Sequence, residues 1–371
     1  MAPPTPLRRT VLQTAETLLL ATVGGVVFML VGFPAGLISG SLLVVAAAGL
    51  LGRPMHIPRH LSQAIMMLVG ISLGAVVTPE TLKGLAAFPV SIAVLSVATI
   101  CMTIATTSYL RFVHKWDARS ALLGASPGAL AQVMALSAEF GADMRKIAIV
   151  QVVRVVILTI GIPTGLAFFG LAASGAGLPT IGRTGSLVEL AILVAVSVGT
   201  GIGLLKSRFP GGLIFGSMMG SAVLHGGGFI DSTLPSWVVA AAVVGIGAVT
   251  GSRFANTDPR TLLRYLGAAL GSFAVAISIA SAFALLLTML LSVRIADVVV
   301  AFSPGAQDTM MVMALALHLD PIFVGAHHLA RYILVSLFIP LFARRLGSPK
   351  EDKPSAKITE TRPRERPTIE D

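Results

Sequence analysis

Apolar runs of about 18 residues or more, the length that crosses a hydrocarbon core roughly 30 Å thick, recur in this chain from about residue 16 to residue 343. A bilayer interior offers no water to an exposed amide, so each run has to satisfy its own backbone, and only helices and closed barrels do so. A barrel needs apolar and polar residues to alternate, and that alternation is absent. The expected fold is an all-α polytopic membrane protein. Composition agrees: 12% of the 371 residues are charged and 55% are hydrophobic, the charged share being about half that of a soluble domain.

The formal charge of +10 raises the question of a polyanionic partner, and its location answers it. The tail from Gly347 to Asp371 holds Lys350, Lys353, Lys357, Arg362, Arg364 and Arg366 against Glu351, Asp352, Glu360, Glu365, Glu370 and Asp371, so it is neutral. The excess sits in short loops between apolar segments, where the positive-inside bias accounts for it without nucleic acid. The tail, rich in Pro, Lys, Glu and Thr, reads as a disordered cytoplasmic extension. Cys101 is the only cysteine, so no intrachain disulfide and no redox chemistry are expected. Arg8 and Arg9 read as the cytoplasmic flank of the first span rather than as a twin-arginine signal.

The chain also repeats itself. FPAGLISGSLL at 33–43 matches FPGGLIFGSMM at 209–219 in seven of eleven positions. Residues 126–163 align without a gap on 303–340, an offset of 177, pairing two SPGA runs, Met134 with Met311, Asp143 with Asp320, Arg154 with Arg331 and Pro163 with Pro340. The implied organisation is a first membrane repeat over 1–172, a Gly/Ser-rich linker over 173–185, a second repeat over 186–346 and the tail over 347–371. Each half offers six apolar segments. If all but the SPG segments cross and the N-terminus is cytoplasmic, Arg145 and Lys146, Lys206 and Arg208, and the charges from Arg253 to Arg264 all fall inside. Outside loops then keep only Lys83, Arg183 and Arg294. Twelve full crossings would export those clusters, against the bias. The charges therefore predict five spans plus one broken or re-entrant SPG segment per half, ten full spans in all, with both termini cytoplasmic. Five is odd, so the two repeats are inverted, a construction plan found in many secondary transporters.

The breaks carry the candidate chemistry. Ser is a good N-cap, Pro suits the first helical position and Gly lets the backbone pass closely, so Ser126 to Gly128 and Ser303 to Gly305 read as fresh helix starts. Free N–H groups at such ends form an anion site. Gln132 follows the first break; Gln307, Asp308 and Thr309 follow the second. The competing reading is a tight loop at the membrane surface. Arg154 and Arg331 lie well inside apolar segments, where a charge is costly and by default marks a site; alternatively each snorkels or pairs with a carboxylate such as Asp308 or Glu139. The expected substrate-binding set is Ser126, Gly128, Gln132, Arg154, Ser303, Gly305, Asp308 and Arg331, with Asp308 as the candidate coupling carboxylate. Adjacent His327 and His328 point about 100° apart on a helix and cannot readily hold one ion, so no metal is expected.

FPAGLISG, SPGALAQV and SPGAQDTM, duplicated over residues 10–345, resemble the AbrB-type bacterial inner-membrane proteins, which are built from two copies of one module. The resemblance covers nearly the whole chain except the tail and implies a multi-pass inner-membrane protein. Members of that family carry an ammonia monooxygenase label or a label as regulators of gene expression; the soluble DNA-binding proteins sharing the name have a small β-rich fold that this chain cannot adopt. An oxygenase needs several convergent His or carboxylate ligands, and the seven histidines here are scattered, so no enzyme activity, metal or cofactor is expected. Two readings stay open. One is alternating-access transport of a small anionic carboxylate, coupled to a proton or sodium, in the lipid bilayer. The other is a sensor that binds such a ligand without moving it.

Overall fold

The structure is a computed structural model and describes residues 6–77, 88–127, 130–171, 186–209, 211–255 and 257–345. The expected linker and tail lie outside the described residues. All regular structure among the described residues is helical. In the first half the order is α1 (Pro6–Leu30), α2 (Gly36–Leu50), α3 (Arg59–Gly74), α4 (Phe88–Phe112), α5 (Ala118–Ala125), α6 (Leu130–Glu139) and α7 (Met144–Phe168). In the second it is α8 (Leu187–Lys206), α9 (Gly212–Gly226), α10 (Ser236–Gly251, continued by a 3-10 turn Ser252–Phe254), α11 (Pro259–Leu290), α12 (Ile295–Phe302), α13 (Gln307–Ala316) and α14 (Pro321–Arg345). The fifth segment of each half is thus two helices of 8 and 10 residues separated by the SPG run.

Among the described residues, seven helices are long and apolar enough to cross a membrane: α1 from Arg8, α4, α7, α8, α10 with its 3-10 turn, α11 and α14. The expectation of ten full spans meets three shorter helices, α2 and α9 of 15 residues and α3 of 16. At 1.5 Å per residue these reach only about 22–24 Å. They are interior elements flanked by other helices: α2 packs on α1, α10 and α7, and α9 on α8 and α3.

Local sequence explains the boundaries. Asp117, Asp143, Ser186 and Asp258 cap α5, α7, α8 and α11 by accepting backbone N–H bonds, each cap being worth about 1 kcal/mol. Both FPxG motifs turn the chain through a left-handed residue, Ala35 (φ 51°) and Gly211 (φ 62°). The loop before α7 uses Gly141 (φ 65°) where the loop before α14 uses His318 (φ 54°), so the repeat extends to backbone conformation even where side chains differ.

Packing is reciprocal between the halves. α1 lies on α2 as α8 lies on α9; across the halves, α2 meets α10 as α9 meets α3. Glycines set both kinds of contact. A Cβ at Gly40 would collide with Gly24 O, and one at Gly216 would stand 2.6 Å from Thr200 O. A Cβ at Gly74 would collide with Met218 O, and one at Gly251 would stand 2.7 Å from Leu42 O. With little hydrophobic drive between helices in lipid, backbone approach of this kind is what holds them. α4 packs on α11, α7 on α11 and α14 on α4. Between these two helix groups lies α13, whose Met310 and Met313 enter the core around α4, α11 and α14, while its Met311 and Leu315 enter the core around α3, α9 and α10. The second break is therefore held at the centre of the molecule.

Candidate functional site at the two chain breaks

Each break begins with a stop. The residue before a proline is biased away from the α region, and Ser126 (φ −60°, ψ 121°) and Ser303 (φ −58°, ψ 133°) are extended. Each is the C-cap of the helix before it, α5 or α12. This corrects the expectation that the serines cap fresh helix starts: the proline ends one helix before the next can begin. Ser303 Oγ donates back to Val299 O at 2.6 Å, and α13 starts at Gln307 after Ala306, without a side-chain cap.

A helix that stops in a dry interior leaves its last carbonyls without partners. The two buried arginines supply them. Arg331 donates from Nη1 to Ser303 O at 2.5 Å and from Nη2 to Ala301 O at 2.6 Å, and His328 Nε2 lies 3.2 Å from Val300 O. In the first half Arg154 Nη2 donates to Ser126 O at 3.3 Å, and Gln151 Nε2 donates to Ser126 O at 2.9 Å and Leu123 O at 3.3 Å. Gln151 and His328 occupy equivalent repeat positions, as do Leu123 and Val300. Both bond their neighbouring arginine: Gln151 Oε1 accepts from Arg154, and His328 Nδ1 lies 3.2 Å from Arg331 Nη2. Cations at helix C-termini are favourable. Even so, two guanidinium groups 4% and 2% exposed have no carboxylate within ion-pair distance among the described residues.

The other expected site residues divide. Asp308, in the first turn of α13, accepts from Thr309 N at 3.0 Å and pairs with Arg253 Nη2 at 3.1 Å. Its partner is thus neither buried arginine, because α13 packs against α10 and its 3-10 turn presents Arg253. Glu139 is exposed. Gly305 N donates to Ser303 O at 2.8 Å and tightens the second break. Gly128 lies outside the described residues, and Gln132 falls in α6 with its side chain outside them. The hydrogen bonds of both arginines go to the arms that end at the breaks, while Arg154 also shares a pocket with Ala306, where α13 begins.

A small pocket joins the halves. Gln151, Arg154, Thr250, Arg253 and Ala306 line it, and it has room for about one water molecule. Two donors there lack any partner among the described residues, Arg154 Nε and Thr250 Oγ1. Arg253 and Thr250 are the residues that sequence reasoning misses. In one dimension Arg253 groups with the cytoplasmic loop charges; the signal for it is its place directly after a long apolar run. His327 bonds Phe323 O at 2.7 Å and Ser91 Oγ at 2.9 Å, away from His328. No three His, Cys, Asp or Glu side chains gather among the described residues. At the head of α14, Asp320 accepts from Ile322 N and Phe323 N, and burial pushes its carboxyl above the ordinary aspartate range.

A duplicated, all-helical architecture with matched breaks invites comparison, and the model of the family described as Transition state regulatory protein AbrB matches residues 37–347. The chain belongs to the AbrB family. The match spans both breaks and all four buried cap residues, Gln151, Arg154, His328 and Arg331. A candidate regulator named AbrB in Escherichia coli (strain K12) is 27% identical over 342 residues, covering 91% of this chain and 97% of that protein. YhjN of Bacillus subtilis (strain 168), a protein with no assigned function, is 25% identical over 364 residues, covering 91% of this chain and 94% of its own length. The AbrB-family resemblance read from the FPAG and SPGA motifs is thus borne out.

Proposed function

We propose that this AbrB-family chain is a secondary transporter of a small carboxylate in the bacterial inner membrane. It works by alternating access about the two breaks, with its halves in opposite orientation and both termini cytoplasmic. The observation that carries the reading is the buried Arg154, without a carboxylate among the described residues, whose partnerless Nε shares a small pocket with the partnerless Thr250 Oγ1; Arg331, at the equivalent repeat position, likewise has no carboxylate among the described residues. Carbonyl dipoles offset part of a buried charge, but a full anion offsets more, and donors without acceptors call for an acceptor. Reciprocal helix contacts favour a two-fold relation between halves. The three short helices complete ten crossings in this reading, each being packed against neighbours where the bilayer need not be spanned at full thickness. A proton or sodium would be the coupling ion, and Asp308, released from Arg253, its carrier. No ligand set for oxygenase chemistry among the described residues supports an enzyme.

Sensing without transport is the second reading, favoured by the regulator name of the Escherichia coli relative and by a pocket with room for about one water molecule. Flux separates the two. Proteoliposomes should accumulate a radiolabelled carboxylate only under a proton or sodium gradient; binding without flux would sink the transport reading. Arg154→Gln and Arg331→Gln should each weaken binding by about 2–5 kcal/mol, the range for truncating one partner of a buried charge pair. Arg→Lys should recover part of it, since Lys lacks the planar fork. Unchanged affinity in a folded Gln variant would make that arginine purely a helix cap.

A further inference from the structure

His225 has a hydrogen-bond pattern that a neutral ring cannot complete. It stands in the last turn of α9, just before the chain turns through Gly227 to Pro235 into α10. Its Nδ1 lies 2.9 Å from Ser221 O and its Nε2 lies 3.0 Å from Ser232 O. Both neighbours are backbone carbonyls, which only accept. A neutral imidazole carries one N–H, so one of its nitrogens would set a lone pair against a carbonyl oxygen; the doubly protonated ring donates to both. The hydroxyl nearest to Nδ1 is turned elsewhere: Ser221 Oγ, 3.4 Å from that nitrogen, donates to Ile71 O of α3 at 2.8 Å. His327 differs, since it faces one carbonyl and one hydroxyl able to donate, and a neutral ring suffices there. The surroundings of His225 favour the cation. The end of a helix attracts positive charge, and the buried Ser232, whose carbonyl His225 holds, donates its own Oγ to Glu189 Oε2 in the first turn of α8.

Few other charges surround the ring. Glu189 on α8 and the exposed Asp231 in the turn itself are the acidic groups at this end; Lys206 is at the far end of α8, and the rest of α9, α10 and residues 64–77 of α3 carry no titratable side chain. We propose that His225 is a proton-operated clasp. As an imidazolium it ties the end of α9 to the turn that Glu189 ties to α8, and loss of one proton as the pH rises gives up one of its two bonds and frees the turn. The first half joins the same elements by other means: Glu16 of α1 pairs with Arg53 of the turn after α2 at 2.9 Å, and an arginine keeps its charge where a histidine titrates. Ser221, which receives His225, also bonds α9 to α3 across the halves. The clasp is therefore fastened to the interlock between the halves and not to a free loop. It stands independently of the transport reading.

The test uses the full chain in nanodiscs, isotope-labelled at the histidine nitrogens. Ring resonances and the hydrogen exchange of residues 226–235 are followed from about pH 5 to pH 8, the span over which histidines titrate. The ring signal that disappears in His225→Gln should show both nitrogens protonated at the low end and one at the high end. Exchange of the turn, corrected for its intrinsic rise with pH, should increase at least about tenfold through the same midpoint, the effect of losing one charged hydrogen bond. In His225→Gln the corrected exchange should not vary with pH. Glu189→Gln, which leaves the ring in place and removes the nearby carboxylate, should lower both midpoints by about half a pH unit or more. A singly protonated ring at the low end overturns the clasp, and so does a ring that titrates while exchange of the turn stays constant. If His225→Gln fails to fold, Glu189→Gln decides: one ring midpoint lowered together with that of the turn supports the clasp, and no movement overturns it.

Discussion

At the scale of single residues, a transmembrane helix with an internal proline has to find a substitute for the donor it lacks, and α7 shows where it comes from. Pro163 has no N–H, so the carbonyl of Thr159 one turn earlier loses its helical partner. Ser39 of α2 donates to it at 3.0 Å. The Thr159 hydroxyl cannot serve, being turned to Val155 O at 2.8 Å. Ser39→Ala should therefore destabilise the protein by about 1 kcal/mol, the low end for orphaning a buried acceptor and above the average for hydrogen bonds in membranes. Ser278→Ala, which removes an exposed bond inside α11 to Ala274 O, should be close to neutral. Thermal unfolding in detergent compares the two, and equal effects would refute the role given to Ser39. The sequence makes the proline and the serine visible but not their meeting, since nothing in either segment names the other. The same holds for Ser126 and Ser303. Their residue types allow an N-cap or an extended pre-proline position, and only the course of the chain on both sides decides between them.

At the scale of helices, the glycines separate into two kinds that spacing alone does not distinguish. Gly40 and Gly74 lie against backbone, where a Cβ would run into Gly24 O and Met218 O; backbone cannot yield as a side-chain end can. Each has a glycine partner four residues earlier, Gly36 and Gly70; Gly161 and Gly165 share that spacing, yet open space surrounds them. Gly40→Ala and Gly74→Ala should each cost about 1–3 kcal/mol through forced separation of helices, whereas Gly161→Ala should be neutral within about 0.5 kcal/mol. Chemical unfolding of the three variants checks the contrast; a stable Gly74→Ala protein would show that α3 and α9 are less tightly joined than described. The duplication of FPAG as FPGG locates α2 and α9, one side of each cross-half contact. The other side, GISLG at 70–74 and GAVTG at 247–251, is hard to find in the sequence because only its glycines are alike. Helix boundaries at Asp117, Asp143 and Asp258 are legible in principle as caps, being local chemistry. The short lengths of α2, α3 and α9 are not, because an apolar run does not report how much of itself is buried by neighbours.

For the molecule as a whole, the charge distribution argues for a topology that labelling can check. In a Cys101→Ser background, Arg145→Cys and Arg260→Cys, both at exposed positions, should react with an impermeant maleimide in inverted vesicles and not in intact cells. Reaction of both from the periplasmic side would defeat the charge argument and the opposed orientation of the halves together. Family membership is legible from the duplicated motifs, which carry this chain's turns and breaks; Arg253 is not, because a loop charge and a pocket charge look alike in one dimension. The reciprocal contacts also bear on how the chain comes to exist. α2 buries its far side against Gly247 and Gly251 of α10, and α9 buries its own against Gly70 and Gly74 of α3. A ribosome that has made only the first half has therefore produced helices whose closest partners are not yet synthesised. Neither half is a complete assembly unit, and nascent α2, with Ile38, Leu42 and Val45, and nascent α3, with Gly70 and Gly74, must wait with these faces bare until the second half arrives to interlock with them.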